Sequence, residues 1–292
     1  MSANPPTLLD SPGSTESRFA EVEGLRLHYL TAGSEDEPPV LLLHGWPTSA
    51  FLWRRVMPGI AAHRRVIALD LPGFGRSDKP LDASYSLRFH ARILDGFFDH
   101  LGVERVGLAV HDLGGPIGLY WASRTPQRIE RLAILNTLVY PKMSWAVKAF
   151  VLACMLPGVR GLLTSPWGLE RALRLGVTDP KRLREDAVPG TQEPFREAAA
   201  RKALLKAGLG INPKGMVEIA RWMPTVDVPV CLLYGAGDRI LPDIGETMAR
   251  LRAEIPHAEH TELGDCGHFL QEERPDEVGN VLGAFFARAH ES

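Results

Sequence analysis

Three residues that could carry out nucleophilic and acid–base chemistry each come just after a segment that is predicted to be a strand. They are Asp112, Asp238 and His268, in that order along the chain. In an open parallel sheet, ligands bind at the carboxyl ends of the strands. A carboxylate, a second carboxylate and a late histidine in this order therefore predict a catalytic triad of nucleophile, acid and base.

The segment around Asp112 indicates the nucleophile. An apolar run turns here into a helix-like stretch from Gly114 to Arg124, and the residue at such an apex is strained and exposed. Gly114 and Gly115 let the two backbones approach each other. A carboxylate can attack an sp3 carbon that bears a leaving group, giving an ester that water then splits. The alternative is that Asp112 only caps the helix.

Asp238 and His268 are predicted to be the acid and the base. Asp238 lies in a glycine-rich loop, where its carboxylate could bond one imidazole nitrogen and fix the tautomer. It could instead cap the helix near Pro242. His268 follows Gly267 after the last predicted strand, and Asp265 is a second candidate for the acid.

Negative charge that develops at the nucleophile needs N–H donors. The backbone N–H of Leu113, directly after Asp112, is one candidate, and that of Trp46 in the loop 44–47 is the other. His44 is expected to hold this loop by hydrogen bonding. His111 is expected to point away from the site and to have a structural role.

Composition limits the partners of this chain. Its 292 residues, 45% hydrophobic, suffice for one large domain and an insertion. The net charge of −2 argues against nucleic acid or an anionic membrane as partners. Three cysteines, few and odd in number, indicate a reducing compartment and predict a cytoplasmic protein. Residues 1–17 lack an apolar signal-peptide core and are predicted to be a flexible tail.

Strands that alternate with helices predict an α/β fold, with a mostly parallel twisted sheet covered by helices on both faces. The predicted strands are 19–23, 25–30, 39–43, 65–70, 106–110, 129–135, 228–234 and 258–263. The predicted helices of this core are 50–61, 86–101, 114–124, 242–255 and 275–289. The core domain is assigned to residues 18–140 and 226–292.

No buried-strand run occurs in residues 141–225, which are therefore predicted to form an all-helical cap. The predicted cap helices are Ser144–Leu156, Pro166–Leu175, Asp179–Ala187 and Pro194–Leu209. The residues interpreted as separating or ending these helices are Pro157-Gly158, Gly176, Pro189-Gly190 and Asn212-Pro213.

Four motifs of this chain resemble the haloalkane dehalogenases, which are α/β hydrolases with an aspartate nucleophile. The motifs are Leu43–Ser49, Asp70–Pro80, Val110–Gly115 and Gly267–Glu272. The neighbouring epoxide hydrolases share much of this pattern. The resemblance covers about residues 20–140 and 226–290, whereas the cap matches only in being helical.

The resemblance implies a mechanism and its residues. Asp112 would displace halide from carbon, His268 would activate the water that splits the alkyl ester, and Asp238 would stabilise the imidazolium. Family members carry the acid after either of two strands. Because Asn136 stands at the earlier position, the acid role falls to Asp238. The partners implied are a small apolar substrate, water and a halide product, with no cofactor and no metal.

Two positions depart from the family pattern. A tryptophan that holds the leaving halide usually follows the nucleophile, but this chain has Leu113 there. The loop position that is usually Asn or Glu is Trp46, so the indole donor has either moved to Trp46 or been lost, with a substrate other than a haloalkane. Further candidate pocket residues are Asn136, Trp145, Trp167 and Trp222.

Two other reactions remain open. Epoxide hydrolases use cap tyrosines as acids toward the epoxide oxygen, and residues 141–225 contain no tyrosine. An aspartate nucleophile could also act on another activated substrate, such as a β-lactone, by hydrolysis or decarboxylation. A binding protein that has lost catalysis is the alternative of a different class, and the complete Asp/Asp/His set argues against it.

Overall fold

A single sheet of eight strands lies within the residues that the computed structural model describes, 15–34, 38–211 and 213–288. The strands are β1 (Glu16–Val22), β2 (Leu25–Ala32), β3 (Val40–Leu43), β4 (Val66–Leu69), β5 (Val106–Asp112), β6 (Ile129–Thr137), β7 (Val230–Gly235) and β8 (Glu259–Leu263). Their order is β1-β2-β4-β3-β5-β6-β7-β8. β2 pairs antiparallel with β1 and β4, and the other pairings are parallel. The predicted mostly parallel sheet is confirmed.

Helices cover both faces of this sheet. The α-helices of the described residues are α1 (Met57–Ala61), α2 (Leu87–Leu101), α3 (Gly114–Arg124), α4 (Trp145–Met155), α5 (Pro157–Leu163), α6 (Pro166–Leu175), α7 (Ala187–Gln192), α8 (Ala198–Leu209), α9 (Pro213–Trp222), α10 (Ile244–Glu254), α11 (Leu270–Glu273) and α12 (Pro275–Ala287). Successive side chains of a strand point to opposite faces. Leu41 and Leu43 accordingly belong to the hydrophobic core with α2, α3 and α10, and Val40 and Leu42 to the core with α1 and α12.

Local chemistry sets several of these boundaries. The Ser86 side chain accepts a hydrogen bond from the Phe89 N–H and caps the start of α2, which ends at Gly102 in the left-handed region. The predicted helix 50–61 is wrong as one element. It is a 3-10 helix, Ala50–Trp53, followed by α1, because Pro58 has no N–H to continue a helix and fits only a first turn.

The predicted tail 1–17 is too long at its end. Glu16 and Ser17 pair with Thr31 and Leu30 as the first residues of β1. Residues 1–14 of that tail lie outside the described residues.

Between β6 and β7, the described residues form helices and connecting turns, and α4 and α6 lie where helices were predicted. The predicted helix Asp179–Ala187 is wrong. A 3-10 turn, Pro180–Arg182, ends at the extended residue Leu183, and α7 begins only at Ala187. Leu183 packs against a small hydrophobic cluster, and that contact favours extended chain here over a continuous helix.

Two helices of this region, α5 and α9, were missed. Both begin at a proline, Pro157 and Pro213, and both prolines were interpreted as breaks. Proline is favourable in the first turn of a helix because the N–H that it lacks would have no partner there. A proline after a helix therefore marks a start as readily as an end.

Candidate active site

Asp112 lies at a sharp turn between β5 and α3. Its φ is +49°, in the left-handed region that costs most residues about 1–2 kcal/mol. The hydroxyl of Thr137 donates to the Asp112 carbonyl at 2.5 Å and holds the turn. A Cβ on Gly114 would come 2.5 Å from the Leu43 carbonyl oxygen, so only glycine allows α3 to start so close to β3. The turn presents the Asp112 side chain at the carboxyl edge of the sheet.

Two backbone N–H groups bind the Asp112 carboxylate. Oδ1 accepts the Trp46 N–H at 2.6 Å, and the Leu113 N–H is a further donor. Gly45 makes this approach possible, because a Cβ there would overlap Oδ1. Burial alone would raise the pKa of Asp112, but His268 and the Leu113 N–H keep it below its ordinary value. The carboxylate is therefore ionised and held by the donors that were predicted for an oxyanion.

His268 lies between the two predicted carboxylates. Its Nδ1 is 2.7 Å from Asp238 Oδ2, and its Nε2 is 3.2 Å from Asp112 Oδ2. The second contact is close but not aligned as a hydrogen bond, which leaves Nε2 able to bind a water molecule. Burial lowers the pKa of His268, but Asp238 and Asp112 together raise it to about 10.

Asp238 is held at both carboxylate oxygens. Its Oδ1 accepts the backbone N–H groups of Ile240 at 2.8 Å and Leu241 at 2.7 Å, while Oδ2 accepts from Asn136 Nδ2 at 2.7 Å. Asn136 lies within β6, is fully buried and also bonds the backbone of β7. Its prediction as a pocket residue is corrected, since its amide supports the carboxylate that orients His268.

The neighbouring titratable groups have other partners. Asp265 is half-exposed and pairs with Arg182 at 2.9 Å and with Arg274, whereas Asp238 pairs with His268.

His111 lies 2.9 Å from the His268 carbonyl through Nε2. Burial, and then the charge of His268, lower the pKa of His111 to about 3, so it is a neutral donor. His111 thus supports the backbone of His268.

The loop before Trp46 is held by His44, as expected. His44 Nε2 accepts the Leu71 N–H at 3.1 Å, and Nδ1 lies 3.0 Å from the Gly45 carbonyl oxygen. Burial lowers the pKa of His44, in keeping with a neutral ring that donates at one nitrogen and accepts at the other.

The indole of Trp46 carries a buried N–H without a partner among the described residues. The ring packs against Phe150 of α4, with 4.7 Å between centroids, and its Nε1 edge lies against Gly208 of α8. Leaving such a donor unpaired costs about 1–3 kcal/mol, so Nε1 is suited to an acceptor brought by a ligand. Leu113, at the family's usual tryptophan position, is half-buried and packs against the hydrophobic core.

Two of the predicted pocket tryptophans lie at the surface. Trp145 is 74% exposed and Trp167 53%, so both predictions are corrected. Trp222 of α9 is half-buried against the core. Phe150, which contacts Trp46, was missed, although it follows Val147 at helical spacing on the side of α4 that is turned to the core. Among the described residues, no three His, Cys, Asp or Glu side chains group to hold a metal.

Comparison with known proteins identifies related sequences. Residues 38–153 match the alpha/beta hydrolase fold family. A haloalkane dehalogenase from Sphingobium indicum is 32% identical and aligns over 94% of this chain and 96% of its own. A cis-3-alkyl-4-alkyloxetan-2-one decarboxylase from Shewanella oneidensis is 31% identical, over 93% of this chain and 88% of its own.

Solved structures show the same relationship. The crystal structure of the haloalkane dehalogenase DbeA from Bradyrhizobium elkani superposes with a TM-score of 0.84 at 27% identity, covering 94% of this chain and 98% of the other. The epoxide hydrolase CorEH superposes with a TM-score of 0.81 at 26% identity, covering 94% and 99%. With 32% identity to the Sphingobium protein over nearly its whole length, this chain belongs to the haloalkane dehalogenase family of α/β-fold hydrolases.

Proposed function

We propose that this protein hydrolyses the carbon–halogen bond of a small apolar haloalkane, R–X + H2O → R–OH + H⁺ + X⁻, without a cofactor. The observation that carries this proposal is the double role open to Trp46. Its backbone N–H holds Asp112 Oδ1 at 2.6 Å, while its buried indole N–H has no partner among the described residues. One residue would thus serve both the nucleophile and the leaving halide.

Alkylation is the first step. Because Oδ1 of Asp112 accepts the Trp46 N–H, Oδ2, which faces His268 at 3.2 Å, is the oxygen proposed to attack. A bond forms between Oδ2 and the substrate carbon as the carbon–halogen bond breaks, and the halide leaves with the bonding electron pair. A buried halide without a donor would be costly, and the Trp46 indole N–H would offset that cost.

Hydrolysis of the ester is the second step, and the alkylation of Asp112 makes His268 a stronger candidate for the base by lowering its pKa. Two carboxylates raise the pKa of His268, and esterification of Asp112 neutralises one of them. The pKa of His268 therefore falls, its Nε2 loses its proton to solvent, and the neutral nitrogen can then accept a proton from water. The resulting hydroxide adds to the ester carbonyl carbon, and the Trp46 and Leu113 N–H groups bind the oxyanion. Collapse of this intermediate breaks the bond to the alkoxide, which takes the hydroxyl proton of the intermediate and leaves as the alcohol, so that Asp112 is restored as a carboxylate. Asp238 stabilises the imidazolium of His268.

Trapping the ester tests the proposal. In His268→Gln, alkylation by 1-bromobutane should proceed and hydrolysis should stop. We expect one bromide released per protein molecule and a butyl group on the peptide that contains Asp112, detected by mass spectrometry. Asp112→Asn in the same experiment should release no bromide. An unmodified peptide from a variant that demonstrably binds the substrate would refute Asp112 as the nucleophile.

Decarboxylation of a β-lactone to an alkene and CO2 is the second candidate. Its support is the 31% identity to the Shewanella decarboxylase of an oxetan-2-one, which is a β-lactone, together with the apolar Leu113 where a halide donor is usual. Alkene and CO2 from a dialkyl β-lactone, with no halide release from bromoalkanes, would replace the first proposal by this one. Epoxide hydrolysis has less support, because Tyr140, the tyrosine nearest the insertion, donates its hydroxyl to Glu254 at 2.7 Å.

A further inference from the structure

Helices α4 and α5 carry large apolar side chains on the surface. Six of them are between 38% and 74% exposed, and they are referred to below as the α4–α5 face: Trp145, Leu152, Met155, Leu156, Val159 and Leu162. The two helices follow one another directly and pack together. Apolar side chains that cluster in this way usually mark a place where a protein or a membrane is bound.

The charged residues near this face are cationic. The whole chain has a net charge of −2, but residues 138–169 contain Lys142, Lys148 and Arg160 and no carboxylate. Lys142 pairs with Glu246 at 3.3 Å, whereas Lys148 and Arg160 lie exposed on α4 and α5 themselves. The segment that carries the α4–α5 face is thus cationic, although the whole chain has a negative net charge. An apolar surface bordered by cations complements anionic lipid headgroups above acyl chains.

The lengths of the helices indicate how such a surface would meet a bilayer. Within the described part of the chain, no single helix is long and apolar enough to cross a membrane. Among the helices that the structure describes, one pair, Trp145–Met155 and Pro157–Leu163, meets that test together, and its members are bent by 113°. A helix the length of α4 spans roughly 17 Å, against the roughly 30 Å of a hydrocarbon core. These helices are suited to lie in the interface, where Trp145 would meet the headgroups.

We propose that the α4–α5 face docks on an anionic lipid surface. A second copy of the chain fits this face less well, because a two-fold contact would place two cationic surfaces against each other. The docking stands on the surface alone and does not depend on the reaction proposed above. It would also place the candidate active site near the lipid, since the inner side of α4 carries Phe150 in contact with Trp46.

Vesicle flotation of the full-length protein tests this proposal. We expect binding to phosphatidylcholine vesicles that contain phosphatidylglycerol, weaker binding to phosphatidylcholine alone, and loss of the difference at high salt. Leu152→Ser with Leu156→Ser should weaken binding about tenfold or more, because two leucines would no longer be buried in the interface. Leu81→Ser is the matched control, since Leu81 is a 45% exposed leucine outside the face, and it should leave binding unchanged.

Charge reversal separates the electrostatic part of the interaction. Lys148→Glu with Arg160→Glu should remove the preference for phosphatidylglycerol, and Lys202→Glu on α8 should preserve it. All of these residues are exposed, so circular dichroism should show unchanged folding. Absence of vesicle binding, or binding that the leucine variants leave unchanged, would overturn the proposal. So would a wild-type dimer that the leucine variants dissociate, since the face would then join two copies of the chain.

Discussion

Asp112 combines a strained backbone with a carboxylate that faces His268, so backbone strain and chemistry must be separated in any test of its role. Asn tolerates the left-handed region much as Asp does, whereas Ala does not. Asp112→Asn should therefore keep the protein folded and lower turnover by several orders of magnitude. Asp112→Ala should lose the same activity and also about 1 kcal/mol of unfolding free energy. Halide release and urea denaturation measure the two effects, and substantial turnover by the Asn variant would exclude Asp112 as the nucleophile.

Trp46 and Leu113 make the halide site testable at single residues. If the buried indole N–H of Trp46 binds the leaving group, bromide should quench tryptophan fluorescence saturably, and Trp46→Phe should abolish that quenching. Trp167→Phe, at an exposed indole on α6, is the control and should preserve it. Leu113→Trp should increase the turnover of bromoalkanes by supplying a second donor. A wild type that neither binds bromide nor turns over bromoalkanes would exclude dehalogenation.

Asp238 should control both the protonation and the turnover of His268. Its charge is the main cause that raises the pKa of His268, so Asp238→Asn should lower that pKa and move the acidic limb of the pH–rate profile to lower pH. Turnover should fall by orders of magnitude because the tautomer is no longer fixed. Asp265→Asn, at the exposed carboxylate, should change neither quantity. A normal profile in the Asp238 variant would assign the acid role elsewhere.

At the scale of elements, one buried carboxylate joins the His268 loop to the chain that leaves α6. Glu273 Oε2 accepts the Gly267 N–H at 2.6 Å, and its Oε1 accepts the N–H and the hydroxyl of Thr178 at 3.0 and 2.5 Å. The Phe269 N–H adds a bond to the Gly176 carbonyl at 3.1 Å. The insertion and the histidine loop are therefore joined by hydrogen bonds on both sides of His268.

Glu273→Gln tests whether this connection positions the base. The amide offers one acceptor where the carboxylate offers two, so at least one buried donor loses its partner, at a cost of about 1–3 kcal/mol. We expect a lower melting temperature and a lower kcat with little change in KM, because the loop of His268 loosens while the pocket remains. Asp276→Asn, at the exposed start of α12, is the matched control. An unchanged kcat at reduced stability would make Glu273 purely structural.

At the scale of the whole molecule, His268 should link stability to pH. Its pKa in the folded protein is about 10, above the ordinary 6.5, so the native state binds this proton more tightly than the unfolded chain. The resulting stabilisation is complete below pH 6.5 and is lost as the pH rises to about 10. The free energy of unfolding, measured in urea, should therefore fall more steeply between pH 7 and 10 in the wild type than in His268→Gln. Equal slopes would show that His268 is not held as imidazolium.

The sequence by itself determined the elements that carry the triad. Asp112 is the last residue of a strand that the sequence predicts, Asp238 and His268 each follow such a strand, and parallel strands gather their carboxyl ends at one edge. The turn at Asp112 was also predictable, because Gly114 permits the close approach that such a turn needs. These features depend on local periodicity and backbone chemistry, which are present in a single segment.

Only the tertiary structure decided which partners each side chain has. The Asn136 amide donates a hydrogen bond to Asp238, which lies 102 residues further along the chain. The Trp46 N–H donates to Asp112, which lies 66 residues further along. No local pattern encodes such pairs, because they depend on how strands order themselves in the sheet. The helical insertion was likewise least predictable, since α5 starts at a proline that was interpreted as a break. Packing against distant segments, rather than local propensity, selects among the local conformations that a short stretch allows.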